Sequence, residues 1–372
     1  MKIKTEELKR CLRINQATIG NKLIPAYNNL KISNVGVDVS IISCDGITQS
    51  RTKIVLDDLP AKDHSFQISS GSFMNTINLS DVEYIEFKVN EKSLIITAGR
   101  NKYKQPISPG KDYPMKQSLV SDEENNAPGE LSNMIEKSLR FFNPNDIRYV
   151  LRGMLIRKSK DGENIQVLAT NGKFGIIMST PFMGEIEDTI LDGSIGKAIG
   201  VFSTSPAITI ASNKNSFSIS DSSCEIVGTK LEGDYPNIDS AINPDEESYC
   251  VVNRMDMIKS LKRASIYSEN KNDGSRVITI QEDSEQNIMT ISSKDVETNR
   301  AAKETIDVIF SGGNKQVIHF NPKFLLAAAE AIDKDNIRLM WTESKKAMFM
   351  TPEEDMDTIA FIGPVSVLTK NK

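Results

Sequence analysis

The residues best suited to catalysis or metal binding in this 372-residue chain are two histidines, four cysteines and one glycine-rich lysine phrase. His64 and His319 stand alone, with no Cys or carboxylate at the spacing a metal or an acid–base pair needs. Cys11, Cys44, Cys224 and Cys250 show no CxxC spacing and read as reduced core thiols. The phrase "GSIGKAIG" at 193–200 resembles a phosphate loop, but Leu191 and Ala198 occupy positions where that loop needs Gly and Ser or Thr. No Gly-x-Ser-x-Gly elbow occurs. The chain is therefore not expected to be an enzyme, and no metal or cofactor is expected. What remains is charge: lysines and arginines at helical spacing, which can neutralise phosphates without reading bases.

Those cations need helices to hold them. In "TEELKRCLR", Thr5 is expected to cap a helix whose first turn carries Glu6 and Glu7. Leu8, Cys11 and Leu12 then share one face, and Lys9, Arg10 and Arg13 the opposite one. In a second helix Met134, Ile135, Leu139 and Phe142 face inward, opposite Lys137 and Arg140. In a third, Met257, Ile258, Leu261 and Ala264 oppose Lys259 and Arg263, with Lys262 on the flank and Arg254 at the start. Each of these helices is followed by another: "SSGSFMNTINL" at 69–79, a glycine-interrupted one at 189–202, and "NPKFLLAAAEAID", where Asn321 is the cap and Pro322 the first residue.

The same alternation of elements recurs three times. Hairpin patterns end at Asp45-Gly46, at Asn171-Gly172 and at Asp295, at near-equal intervals. Further hairpins are expected in "LIITAGRNKYKQPI", "AITIASNKNSFSIS" and "IRLMWTESKKAMFM". A Gly-(x)-Asp-Tyr-Pro phrase occurs at Tyr113 and again at Tyr235, about a third of the chain apart. Taken alone, that phrase is a turn with an aromatic–proline corner. Acidic stretches at 121–130 and 243–248 read as linkers. The chain is thus expected to be α+β and triplicated, with domains at 1–125, 126–246 and 247–372. A net charge of −5 argues against a generally basic surface, but it permits local basic faces on an acidic body. No apolar run is long enough to span a bilayer, and the start "MKIKTEELKR" lacks a signal-peptide core, so a cytoplasmic protein without a membrane partner is expected.

"LIP…NNLKI", "NDIRYVLRGMLI", "LATNG", "KLEGDYPNI" and "FNPKFLLAAAEAI…DNIRLMWTES" occur in one order over essentially the whole chain. In this the chain resembles the bacterial DNA polymerase sliding clamps, the beta subunits of the replicative holoenzyme. The resemblance implies three similar clamp domains per chain, joined head to tail with a second copy in a closed ring. Strands would lie outside and helices would line a hole around duplex DNA. It places Lys9, Arg10, Arg13, Lys137, Arg140, Lys197, Arg254, Lys259, Lys262 and Arg263 on the pore. It implies a replicative polymerase and a clamp loader as partners. These would dock by short peptides in a groove including Leu151, Thr170, Gly172, Lys173, Phe174, Gly175, Pro236 and Ala241, with Phe361, Ile362, Gly363, Pro364, Val365 and Val367 from the last strand.

This sequence departs from the family at the groove. Lys173-Phe174-Gly175 stands where His-Arg-Leu is usual, and Gly363-Pro364-Val365 stands in place of a Met-Pro-x-Arg-Leu-like end. Gly175 and Gly363 are expected to open the anchor pocket, with strand register deciding whether Phe174 refills it. Pro236 and Val365 are the candidates for lining the anchor site. The alternative is a triplicated scaffold ring holding no DNA, from which basic faces on all three leading helices would distinguish a clamp.

Overall fold

The computed structural model describes residues 1–20, 23–116, 125–202, 204–242, 248–268, 277–295, 298–311, 317–341 and 347–365. Six α-helices occur among them: α1 (Thr5–Gln16), α2 (Ser70–Asn78), α3 (Glu130–Ser138), α4 (Gly196–Ile199), α5 (Arg254–Ile266) and α6 (Pro322–Ala331). The chain forms two compact units, Met1–Glu136 with Phe182–Glu232, and Lys137–Pro181 with Gly233–Lys372.

In the first unit, strands Asn29–Val35 and Asp38–Cys44 pair antiparallel through a two-residue turn. Gly36 supplies the positive φ of 57° that such a turn requires. Leu30 and Ile32 alternate inward, so one face of the hairpin joins the core with Leu8, Cys11 and Leu12 of α1. A nine-stranded sheet runs on from these strands. Within it Thr48–Val55 pairs with Cys224–Thr229, placing Ser50 opposite Ile226. Strands from the first and second thirds of the sequence thus share one ladder.

The second unit repeats the device. Strands Gly153–Lys158, Asn164–Thr170 and Phe174–Pro181 form a meander, and Phe174–Pro181 then pairs with Thr358–Ile362 of the last third, Phe174 opposite Ile362. Helices α5 and α6 pack against each other in this unit. All six expected hairpins are found at the expected positions, although residues 342–346 between the last two strands lie outside the described residues. At α6 the Asn321 side chain accepts from Lys323 N at 3.0 Å, and Pro322 opens the helix as expected.

Four local expectations need correction. Thr5 is not a cap. Lys4 holds that position without a side-chain bond, while Thr5 is the first helical residue, buried, its hydroxyl without a partner among the described residues. Helix α3 stops at Ser138, so Phe141 rather than Phe142 is fully buried. The helix expected at 189–202 is a strand, Thr189–Asp192, followed by short turns of helix, because its three glycines favour tight turns over a continuous helix. Part of the expected linker at 121–130 is a strand, Asn125–Pro128, paired with Ala207–Ser212. The linker at 243–248 lies almost wholly outside the described residues.

Candidate functional site

Helix α1 buries Leu8, Cys11 and Leu12 and leaves Arg10 and Arg13 exposed. Lys9 is half-buried, 3.7 Å from Glu6. Arg10 donates to the Ser223 hydroxyl at 3.2 Å. Among the described residues, Arg13 meets no carboxylate.

In the second unit the expected inward residues of α5 are buried, and Lys259, Lys262 and Arg263 are exposed. Asn253 caps this helix, accepting from Asp256 N at 3.2 Å. Arg254 at its start is half-buried. Three carboxylates that the sequence pattern does not place here meet these cations. Glu330 of α6 accepts from Arg140 Nη1 at 2.6 Å and from Lys262 Nζ at 2.9 Å. Glu304 takes the Nε edge of Arg263, at 3.0 Å to Nε and 2.5 Å to Nη2. Asp333 takes Lys137. Lys262 and then Arg140 hold the Glu330 carboxyl below the usual range, and Arg263 does the same for Glu304. The side chain of Lys197 lies outside the described residues.

The residues expected to form a peptide groove make a second constellation in the same unit. The turn Asn171–Phe174 is fixed by the Asn171 side chain, which accepts from Lys173 N at 2.9 Å and Phe174 N at 3.1 Å, with Gly172 at φ 85°. Asp45 does the same for Ile47 and Thr48 in the first unit, beside Gly46 at φ 96°, so the repeat extends to backbone detail. Thr170 is buried and donates to Phe174 O at 2.8 Å. The Tyr235 hydroxyl accepts from Thr170 N at 3.1 Å and donates to Gly153 O at 3.3 Å; burial raises its pKa. Asp239 accepts from both terminal guanidinium nitrogens of Arg157, at 2.6 and 3.0 Å. The second Asp-Tyr-Pro phrase is thereby latched at Tyr235 and again at Asp239, and Pro236 between them is exposed.

Glycine opens no space at the expected anchor site. Phe174 points inward, buried, stacked 3.9 Å from Phe324 with Phe141 5.2 Å away on tilted geometry. The space over Gly175 holds the Phe361 ring: a Cβ there would lie 2.5 Å from it and 2.7 Å from the Ala169 carbonyl. Gly363 is equally constrained. Its N–H donates to Lys173 O at 2.8 Å, and a Cβ would lie 2.8 Å from that same oxygen. Both glycines serve close packing, which corrects the expectation of missing walls. Leu151 and Ile362 are buried, Lys173 and Pro364 exposed, and Val365 half-buried with its N–H on His319 O at 2.8 Å. The Ala241 side chain and Val367 lie outside the described residues. Sequence reading missed Phe141, Phe324, Glu304, Glu330 and Asp333; Phe324, Glu330 and Asp333 lie inside the recognised "NPKFLLAAAEAID" phrase, but their partners are distant in sequence.

No group of three metal-ligating side chains occurs among the described residues. His319 Nδ1 lies 2.9 Å from the Thr279 hydroxyl. All four cysteines are buried.

Residues 240–366 match the family described as DNA polymerase III beta subunit, C-terminal domain. The beta sliding clamp of Pseudomonas aeruginosa is 21% identical over 384 aligned positions, covering 97% of each chain. That of Escherichia coli is 24% identical over 359, covering 91% of each. Among solved structures, the DNA polymerase sliding clamp from Bacillus subtilis superposes with a TM-score of 0.87 at 17% identity, over 98% of both chains. These likenesses run over nearly the whole chain, which is thus similar from end to end to the beta sliding clamps at low identity, with its C-terminal third matching the family model.

Proposed function

We propose that this chain is the processivity clamp of a replicative DNA polymerase. Two copies close head to tail around duplex DNA, each contributing three repeats (1–125, 126–246 and 247–372). The cationic faces of α1, of α5 and of the residues around α3 line the hole and meet the phosphate backbone without reading bases. The groove bounded by Leu151, Thr170, Pro236, Phe361 and Val365 takes extended peptides from the polymerase and the clamp loader, in the cytoplasm. The observation that carries the reading is the full-length likeness to sliding clamps, together with exposed cations opposite the apolar faces of α1 and α5.

Retention on DNA after loading tests it. On circular duplex the protein should stay bound through a high-salt wash. On the same duplex linearised, it should be lost from the ends. Equal loss from both would favour a scaffold that holds no DNA.

A further inference from the structure

We propose that Glu330, aided by Glu304 and Asp333, acts as a tethered counter-ion that loosens the hold of the second unit's cationic face on a phosphate backbone. The inference rests on the clamp reading above. Each oxygen of Glu330 takes one cation, Arg140 at 2.6 Å and Lys262 at 2.9 Å. Those two side chains nevertheless remain 54% and 59% exposed. An arginine has five N–H donors and an ammonium three, so each keeps donors for a phosphate after serving Glu330. A phosphate arriving there meets two positive charges and one negative one. At Arg263, Glu304 covers the Nε edge used for paired contacts to oxyanions.

Two effects of Glu330 compete. It orders the cations, which for an exposed pair is worth at most a few-fold. It also repels phosphate. One negative charge about 6 Å from a phosphate costs roughly threefold in binding in a near-aqueous field. The ordering acts on two side chains, whereas the repulsion acts on every phosphate passing within a Debye length of about 8 Å. Repulsion therefore wins. For a ring held by topology, each adhesive contact is friction against movement along the duplex, and carboxylates built into the face reduce it.

Equilibrium binding to a short linear duplex, titrated with salt, tests this on the full chain. E330Q keeps shape and hydrogen-bonding capacity while removing charge. It should tighten binding about three- to tenfold near 0.1 M salt and steepen the salt slope by about 1. E304Q, on a separate strand, should do the same, so a folding defect in one variant does not end the test. K259A reports on the clamp reading itself and should weaken binding. Should K259A weaken binding while E330Q and E304Q change nothing, the counter-ion proposal fails and the clamp reading stands. Weaker binding by E330Q would make Glu330 a positioning residue and overturn the proposal. No response from any of the three variants would mean that this face does not meet DNA, and both fall.

Discussion

Helices α1 and α5 present the same pattern, an apolar face opposed by lysines and arginines, but their charges are in different states. On α1, Arg10 donates to the neutral Ser223 hydroxyl and Cys11 sulfur, and neither it nor Arg13 meets a carboxylate among the described residues. Around α5, Lys262 and Arg263 are each held by a carboxylate brought from elsewhere in the chain. Lys259, on the same helix, meets none among the described residues. A helical wheel assigns these residues to a face, but the field at that face depends on neighbours the wheel does not contain. On this basis α1 should bind phosphate more strongly per residue than α5, and within α5 the contribution should come mainly from Lys259.

The largest effect expected extends the contrast to a carboxylate that no cation reaches among the described residues. Glu282 is buried on strand Ile278–Asp283, accepting from Trp341 Nε1 at 3.1 Å with the Cys250 thiol 3.7 Å away. Burial pushes its carboxyl up to about 7 from the usual 4.5. The folded chain then holds this proton more tightly than the unfolded chain does. Its stabilisation is full at low pH and is lost as pH rises from the unfolded value through about 7, by on the order of 3 kcal/mol. Glu330 and Glu304, with lowered values, act in the opposite sense, and their small contribution disappears only in acid. Urea unfolding at mildly acidic and mildly alkaline pH should show wild type weakening with rising pH and E282Q nearly flat. A wild type equally stable at both would remove Glu282 from the contrast.

Second in size is a comparison between helices. Each phosphate contact shifts log K by about 0.9 per decade of salt, so losing Arg10 and Arg13 together should cost about fiftyfold in duplex affinity near 0.1 M salt. K262A/R263A should cost less than about tenfold, because those cations are already engaged. Equal losses would break the distinction. The smallest effect lies within α5, where K259A should weaken binding about threefold more than K262A does. The same salt titrations measure both comparisons, with thermal unfolding to check that the core faces are untouched.

Much of the fold was legible because it is written in local periodicity. Hairpins such as Asn29–Val35 with Asp38–Cys44 announce themselves by alternation and a turn glycine, and α6 by its Asn-Pro start. The failures share a cause in contacts distant in sequence. Thr5 has the chemistry of a cap, yet its backbone N–H is taken by Glu83 O at 2.9 Å as the chain enters α1 from a strand. Gly175 looked like an empty pocket, and Phe361 of the last strand fills it. Glu330 lies far from Arg140 in sequence, and nothing around either residue announces their ion pair. The repeated Asp-Tyr-Pro phrase shows the boundary between the two kinds of information. Its recurrence is visible in the letters, but the bridge from the Tyr235 hydroxyl to Thr170 and Gly153 is visible only in three dimensions.

Trp341 is the chain's single tryptophan, and its indole N–H points at Glu282 while its ring stacks on Phe320 at 5.9 Å. An indole's emission responds to the charge beside it, and here no second indole dilutes the signal. The protein thus carries an intrinsic optical reporter in its last repeat, whose fluorescence should titrate with a midpoint near 7 without any label attached. The protonation of Glu282 can thereby be followed in real time from the light of one side chain.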